Sequence, residues 1–429
     1  MALGIFIFML VLPYMYAGDK ELVLSQIIWR HGDRSPTKTF PSDIHQEGDW
    51  KFGGGGWGQL SPTGMRQHFN LGTRLKNRYV SSGYLSPFYN SKEIYVRSTD
   101  VNRTVISAMS NLIGMYSNQQ NRVGIDYPDV QGWPANYVPI AVHTVDDDSD
   151  YILNADATCM RQTKLWDMAK TSDEVRAFVN QTTTQQVLAT TTKNCNETVD
   201  IDNLWIINDA IFIEGIHFPN NPNTWVTADL AANISQVNDK VEEFQNGIFD
   251  KKVVMNNLDI GLELQKLRGG SCVNDVLMHM NLKKDCYGKS TNACKWINNL
   301  KYYVYSAHDT TIYAFLTCFG IELSAVKTGY PHYSAAVLTE LYRDKTTNEF
   351  SFKMFYHSDE GQDFSILSDK IDGCTQDYCD LKHFSDVAAR VKPDRDMNEW
   401  CNVDPSYKSG NSFFTAGIIA FVALIHQMM

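Results

Sequence analysis

The chain has 429 residues, room for two domains or for one large domain carrying a substantial insertion, and its 43% hydrophobic and 20% charged content is that of an ordinary globular protein. A formal charge of -11, with no long Lys/Arg cluster to offset it, argues against a nucleic-acid binder and requires any anion site to be local.

In chain order, Leu3 to Val11 form an apolar run ahead of Pro13 and Ala17-Gly18. This reads as a secretory signal over residues 1–17, although no Lys or Arg precedes the run and the bulky Met15 fills a position that cleavage prefers small. A membrane-spanning start is the alternative, for which the run is short. Leu22 to Trp29 is a mostly apolar stretch of strand formers, and it delivers Arg30-His31-Gly32-Asp33-Arg34-Ser35-Pro36 at its end. Gly32 permits a sharp turn there and Pro36 forbids regular structure immediately after it. A histidine beside an arginine is usually a surface or packing residue. Two guanidiniums bracketing one imidazole on a rigid turn form a place where a phosphoryl group could settle beside a nitrogen nucleophile.

Gly53 to Gly56, between Trp50 and Trp57, lack the Gly-Lys-Ser/Thr ending of a nucleotide-binding loop and read as a flexible, aromatic-edged loop. Ser61-Pro62 opens a helix whose apolar face is expected at Met65, Phe69, Gly72, Leu75 and Tyr79, with His68 a structural residue. Glu93 to Val96 is a second short strand delivering Arg97, an ion-pair partner if read alone and a third phosphate clamp if read with the first motif. The helix beyond it, with Val101, Val105, Met109 and Leu112 inward, is expected to stop at Gly114.

The middle of the chain changes character, with an acidic run Asp146-Asp147-Asp148 and polar stretches at helical spacing such as Val226 to Phe244. The acidic run lacks interleaved ligands and a turn glycine and reads as a solvated loop, so no metal constellation is expected. Lys301 to Tyr305 is a third strand, leading into Ser306-Ala307-His308-Asp309-Thr310-Thr311 and a helix that stops at Gly320. Asp309 could serve simply as a helix cap and His308 as a polar core residue. Against that, three strands each end in charged or imidazole side chains, where open α/β sheets place their ligands. Ser334 to Tyr342 and Glu349 to Tyr356 are further strands. Phe413 to Ile425 is apolar apart from Thr415, short of the roughly 20 residues that span a bilayer comfortably. It suits a marginal single-pass anchor or a GPI signal, with a buried helix the weaker option.

Nine cysteines in a secreted chain imply disulfides and at least one thiol left over. Sequons at Asn102, Asn180, Asn196 and Asn233 agree with a lumenal or extracellular compartment. Asn102 lies so near a candidate site that it is expected to stay unmodified, leaving Asn180, Asn196 and Asn233 as glycosylation candidates.

From Glu21 to about Cys401 the chain resembles the histidine acid phosphatases, the branch 2 members of the histidine phosphatase superfamily. The resemblance rests on Arg30 to Pro36, Arg97-Ser98-Thr99-Asp100 and Ser306 to Thr311, and is strongest to the prostatic and lysosomal kinds. It implies an α/β fold, a sheet flanked by helices with a phosphoglycerate mutase-like core, and a smaller, mainly helical inserted domain. The expected divisions are 18–145 and 291–402 for the core, 146–290 for the insertion and 403–429 for the tail. It implies His31 as nucleophile, Asp309 as proton donor, and Arg30, Arg34, Arg97 and His308 as the phosphate pocket. It also implies disulfides Cys374–Cys379 and Cys159–Cys401, whereas Ala336 replaces the family's partner for Cys195. Cys286 and Cys294 could bridge each other in an additional loop; Cys195 with Cys272 is weakly supported, and Cys318 is the candidate free thiol.

The activity implied is hydrolysis of phosphate monoesters through a phosphohistidine, without metal or cofactor. It would take place in the secretory pathway, at the cell exterior or in the lysosomal lumen, with membrane attachment through the tail. A homodimer is suggested by the same likeness. A narrower phosphatase of the same mechanism, acting on phytate, lipid or glycan phosphates, is the runner-up, and a silent phosphate-binding protein or a mutase-like transferase stands further off.

Overall fold

In the computed structural model the described residues are 19–117, 121–134, 136–326, 329–374 and 378–405. The apolar leader at 1–17 and the apolar tail from Phe413 lie outside the described residues. Among the described residues no helix is long and apolar enough to cross a membrane.

The first part of the chain forms β1 (Lys20–Arg30), α1 (Pro62–Leu75), β2 (Ile94–Thr99), α2 (Asn102–Tyr116) and β3 (His143–Val145). A long helical stretch follows: α3 (Met160–Lys170), α4 (Asp173–Val179), α5 (Thr182–Cys195), α6 (Leu204–His217) and α7 (Ala228–Gln245). After the ribbon β4 (Val254–Met255) and β5 (Leu258–Asp259) come α8 (Ile260–Gln265), α9 (Ser271–Cys286) and α10 (Lys295–Asn299). The chain then returns through β6 (Tyr302–Ala307), α11 (Asp309–Phe319), α12 (Glu322–Ala325), β7 (Ala336–Asp344) and β8 (Phe350–His357). It closes with β9 (Ser365–Ile366), β10 (Cys379–Asp380), α13 (Leu381–Arg390) and α14 (Met397–Trp400).

The main sheet has the order β10-β8-β7-β1-β6-β2-β3, with β9 on β8. β1, β6, β2 and β3 run parallel, and β7, β8 and β10 continue the sheet antiparallel. Both faces of this mixed sheet are covered, as its parallel half requires. On one face Ile27, Trp29, Val96 and Val304 pack under Leu71 and Leu75 of α1 and Leu112 and Met115 of α2. On the other, Leu24, Ile28, Tyr303 and Tyr305 pack against α9, α11 and α13 through Val276, Met280, Phe315 and Phe384. The helices between residues 146 and 290 therefore divide. α4 to α7 build their own core around Val187, Ile207, Val241 and Phe244, joined by Phe40 from the loop after β1, whereas α9 belongs to the sheet.

Two expected helix faces are turned in part: Gly72, Leu75, Tyr79 and Leu112 are buried as expected, and other positions are not. On α1 the buried positions are Gly64, His68, Leu71, Gly72 and Leu75, while Phe69 is exposed. On α2 they include Thr104, Ala108, Asn111, Leu112 and Met115, while Met109 is exposed. The reason lies in two glycines. A Cβ on Gly72 would stand 2.0 Å from the Asn111 carbonyl oxygen, and one on Gly114 2.2 Å from that of Phe69. The two helices touch backbone to backbone there, so Gly114 is an interior contact and α2 runs on to Tyr116.

Cys159–Cys401, Cys286–Cys294 and Cys374–Cys379 are disulfides. Cys195, Cys272 and Cys318 are free and buried. Cys195 lies in the α4–α7 core and Cys272 in the sheet core, which removes the weakly supported pairing of the two.

Candidate functional site

The ends of β1, β6 and β2 converge with the N-termini of α11 and α2, so the parallel register decides the site. His31 follows β1 directly, and its backbone N–H donates to Ala307 O at the end of β6 (3.0 Å). Gly32 must be glycine because a Cβ would meet Gly64 O at 2.4 Å, where α1 begins. The His31 ring is buried, and its Nδ1–H donates to Gly32 O at 2.9 Å, which leaves Nε2 as the nitrogen with the free lone pair. Burial first, then the charges of Arg103, Arg34, Arg30 and His308, hold its pKa well below the ordinary imidazole range.

Arg30 places Nη2 at 2.8 Å from Asp309 Oδ2, and its Nη1 donates to Pro331 O at 2.6 Å. Arg34 forks onto Asp209 of α6 at 2.9 and 3.0 Å. Arg103, on the first turn of α2, stands 3.5 Å from His308 Nδ1. His308 lies within 3.0 Å of Thr99 Oγ1 through Nε2 and is lowered to about 3, by burial first and then by Arg103. Asp309 begins α11, where Thr310 N–H donates to it at 2.8 Å. Burial raises its pKa, but Arg30, Arg34 and His308 together outweigh that and leave it below the usual carboxylate range. Among the described residues the buried Nε–H groups of Arg30, Arg34 and Arg103 have no acceptor.

His31, His308, Asp309, Arg30 and Arg34 are thus together. Arg97 is not with them. β2 runs on to Thr99, so Arg97 is an interior strand residue paired with Tyr305 and His143, and the alternation of the strand turns it to the α9 face of the sheet. There it binds the buried Asp150, with Nη2 to Oδ1 2.5 Å. The third guanidinium of the pocket is Arg103, six residues on. It lies on the first turn of α2, whose N-cap is Val101 with no side-chain cap, so no local signal in the sequence marked it.

Other residues of the site had no local signal. Asp209 comes from α6, and Tyr333 from the turn before β7. Asp33 ties the turn to two helices, accepting from Ser61 Oγ at the start of α1 and pairing with His217 Nε2 of α6 at 2.9 Å. His68 is structural, with Nε2–H donating to Arg30 O at 2.9 Å. The glycine loop folds back on the motif. Gly53 to Gly56 all have positive φ, Ser35 Oγ donates to Gly56 O at 2.8 Å, and Gly58 leaves room for Arg103. The acidic run lies beside the pocket, Asp147 being among the charges that act on Arg103.

Residues 21–357 match the model of the histidine phosphatase superfamily (branch 2). The chain is 32% identical to putative acid phosphatase 10 of Caenorhabditis elegans, over 90% of this chain and 95% of that one. It is 29% identical to the lysosomal acid phosphatase of Xenopus laevis (96% and 87% covered) and to human prostatic acid phosphatase (91% and 90%). In fold it is similar to the phytase of Klebsiella sp ASR1, with a TM-score of 0.61 at 14% identity over 88% of this chain and 99% of that one. The chain belongs to branch 2 of the histidine phosphatase superfamily, and it is a phosphoric monoester hydrolase of the acid phosphatase kind.

Proposed function

We propose that His31 is the nucleophile, Asp309 the proton donor, and Arg30, Arg34 and Arg103 with His308 the phosphate pocket. The observation that carries this reading is the His31 imidazole itself, kept neutral and with Nε2 free, among three guanidiniums. The ester's phosphoryl oxygens take the arginine donors, and Nε2 attacks phosphorus as the bond to the leaving oxygen breaks. Asp309 gives its proton to that oxygen, then accepts one from the water that hydrolyses the phosphohistidine. Asp309 itself is a carboxylate paired with Arg30. Its proton therefore arrives with the substrate: a phosphate monoester in acid is a monoanion, and its negative charge beside Asp309, drawing on Arg30, raises the affinity of that carboxylate for the proton.

The test is hydrolysis of p-nitrophenyl phosphate from acid to neutral pH, with and without EDTA, together with rapid-quench trapping. The expected result is EDTA-resistant turnover in acid and an acid-labile, alkali-stable phosphoenzyme that is absent from His31→Ala. A folded His31→Ala protein that still turns over would sink the assignment.

We infer a secretory-pathway or lysosomal setting. The lysosomal and prostatic relatives and three disulfides support it, and Asn180 and Asn196 are exposed for glycosylation, with Asn233 half-buried on α7.

A further inference from the structure

The turn that precedes β7 grips the nucleophile strand. Arg30 N–H donates to Ala335 O at 2.9 Å, Ser334 N–H to His31 O at 3.2 Å, and the Arg30 side chain to Pro331 O. Within it Ser334 takes φ 59, a left-handed conformation that a side chain with a Cβ adopts only when its surroundings impose it. The residue held by this strained turn is Tyr333. Its ring carries the Arg30 guanidinium on one face, 4.2 Å from the centroid, lies 6.1 Å from the His31 ring, and faces the exposed Phe212 of α6 at 6.1 Å.

Tyr333 is only 7% exposed, yet among the described residues its hydroxyl has no hydrogen-bond partner. A buried phenol hydroxyl normally finds one, and leaving it without one is costly. The charges acting on it are those of the pocket, Arg34 and Arg30 foremost and then Asp209 and Asp33. Burial keeps the phenol protonated and therefore a donor.

We propose that Tyr333 is a further phosphate-binding residue, its O–H donating to an oxygen of the phosphoryl group held between Arg30 and Arg34. This rests on the phosphatase reading above. The unfavourable burial of a lone hydroxyl and the strain at Ser334 are then offset whenever phosphate is bound, by a hydrogen bond to a charged acceptor.

Tyr333→Phe separates the hydroxyl from the ring, since the platform under Arg30 stays. In the full chain, inhibition by inorganic phosphate and hydrolysis of p-nitrophenyl phosphate are measured for wild type and variant, with thermal melts of both. Loss of one hydrogen bond to a charged group predicts a roughly tenfold to hundredfold rise in the phosphate inhibition constant, with a matching fall in kcat/KM. The melting temperature should stay equal or rise, because no bond within the protein is lost. An unchanged inhibition constant would overturn the proposal while leaving the phosphatase reading intact. A variant that melts markedly lower would also overturn it, because the hydroxyl would then be held by the protein. A wild type that neither turns over nor binds phosphate would instead remove the reading on which the proposal rests.

Discussion

Arg97 and Arg103 are the same residue type six positions apart, and their surroundings assign them opposite tasks. Arg103 faces His31 and His308, and burial first, then the like charge of Arg34, lowers its own pKa to about 10. Arg97 neutralises the fully buried Asp150. Arg103→Ala should cost about a hundredfold or more in kcat/KM, as loss of a preorganised charge on the phosphoryl oxygens. It should also move the acid limb of the pH profile upward: removing a cation raises the pKa of His31, which then protonates at higher pH. Arg97→Ala should leave a buried carboxylate unpaired and destabilise the fold by about 3 kcal/mol, while the protein that remains folded keeps its acid limb. Urea unfolding and the pH dependence of kcat/KM on both variants check the pair; identical shifts in the acid limb would contradict it.

At the scale of elements, the pocket is assembled by helices that meet the sheet at fixed distances. α6 contributes Asp209 to Arg34, Phe212 to Tyr333 and His217 to Asp33 from one length of helix, so the separate helical core reaches the pocket through several side chains at once. α1 and α2, which position Gly32 and Arg103, are held together at Gly72 and Gly114. Gly72→Ala should therefore destabilise the protein by about 1–3 kcal/mol, because the new methyl meets backbone that cannot yield cheaply. Gly48, with nothing within 4 Å of an added Cβ, serves as the control. Chemical denaturation of the two alanine variants gives the comparison, and equal stabilities would show that the helices can separate without cost.

The whole molecule carries its acid preference in its stability as well as its chemistry. Glu214 on α6 is buried, shares Asn223 with Asp43, and is pushed up to about 9 by burial and then by Asp43. Glu242 at about 7 and Asp239 at about 6 shift the same way, again chiefly through burial. A carboxyl with a raised folded-state pKa binds its proton more tightly in the folded protein. Its contribution is complete below the unfolded value of about 4.5 and is lost as pH rises, at up to about 1.4 kcal/mol per unit until the folded value is passed. His68 and His308, both lowered to about 3, act oppositely: they favour the fold above about 6.5 and withdraw that support as pH falls toward 3. These groups together are expected to favour the fold most in mildly acidic solution. Glu214→Gln keeps the donor and removes the titration, so its stability should fall less steeply than that of wild type between pH 5 and 8. Parallel slopes in urea melts at those values would refute the role of Glu214.

Some of this was written locally in the chain. The turn Arg30 to Pro36, the strand of Tyr302–Ala307 that delivers His308 and Asp309, and the αL stop at Gly320 follow from short-range patterns of strand formers, glycine and proline. These determined the sheet, the position of its active end and most of the pocket. The tertiary structure decided whatever depends on where a strand stops and which side it presents. β2 runs three residues past its apolar pattern, to Thr99, so Arg97 is an interior strand residue that the alternation turns to the far face, and the pocket is left to Arg103. Contacts across long separations were equally closed to local reading: Asp209 on Arg34 is 175 residues away, and Pro331 receives the Arg30 side chain across 301. Periodicity reports which side of an element is apolar. It does not report which distant element will face it, and that choice is made by packing and by the pairing of charges that burial leaves without water.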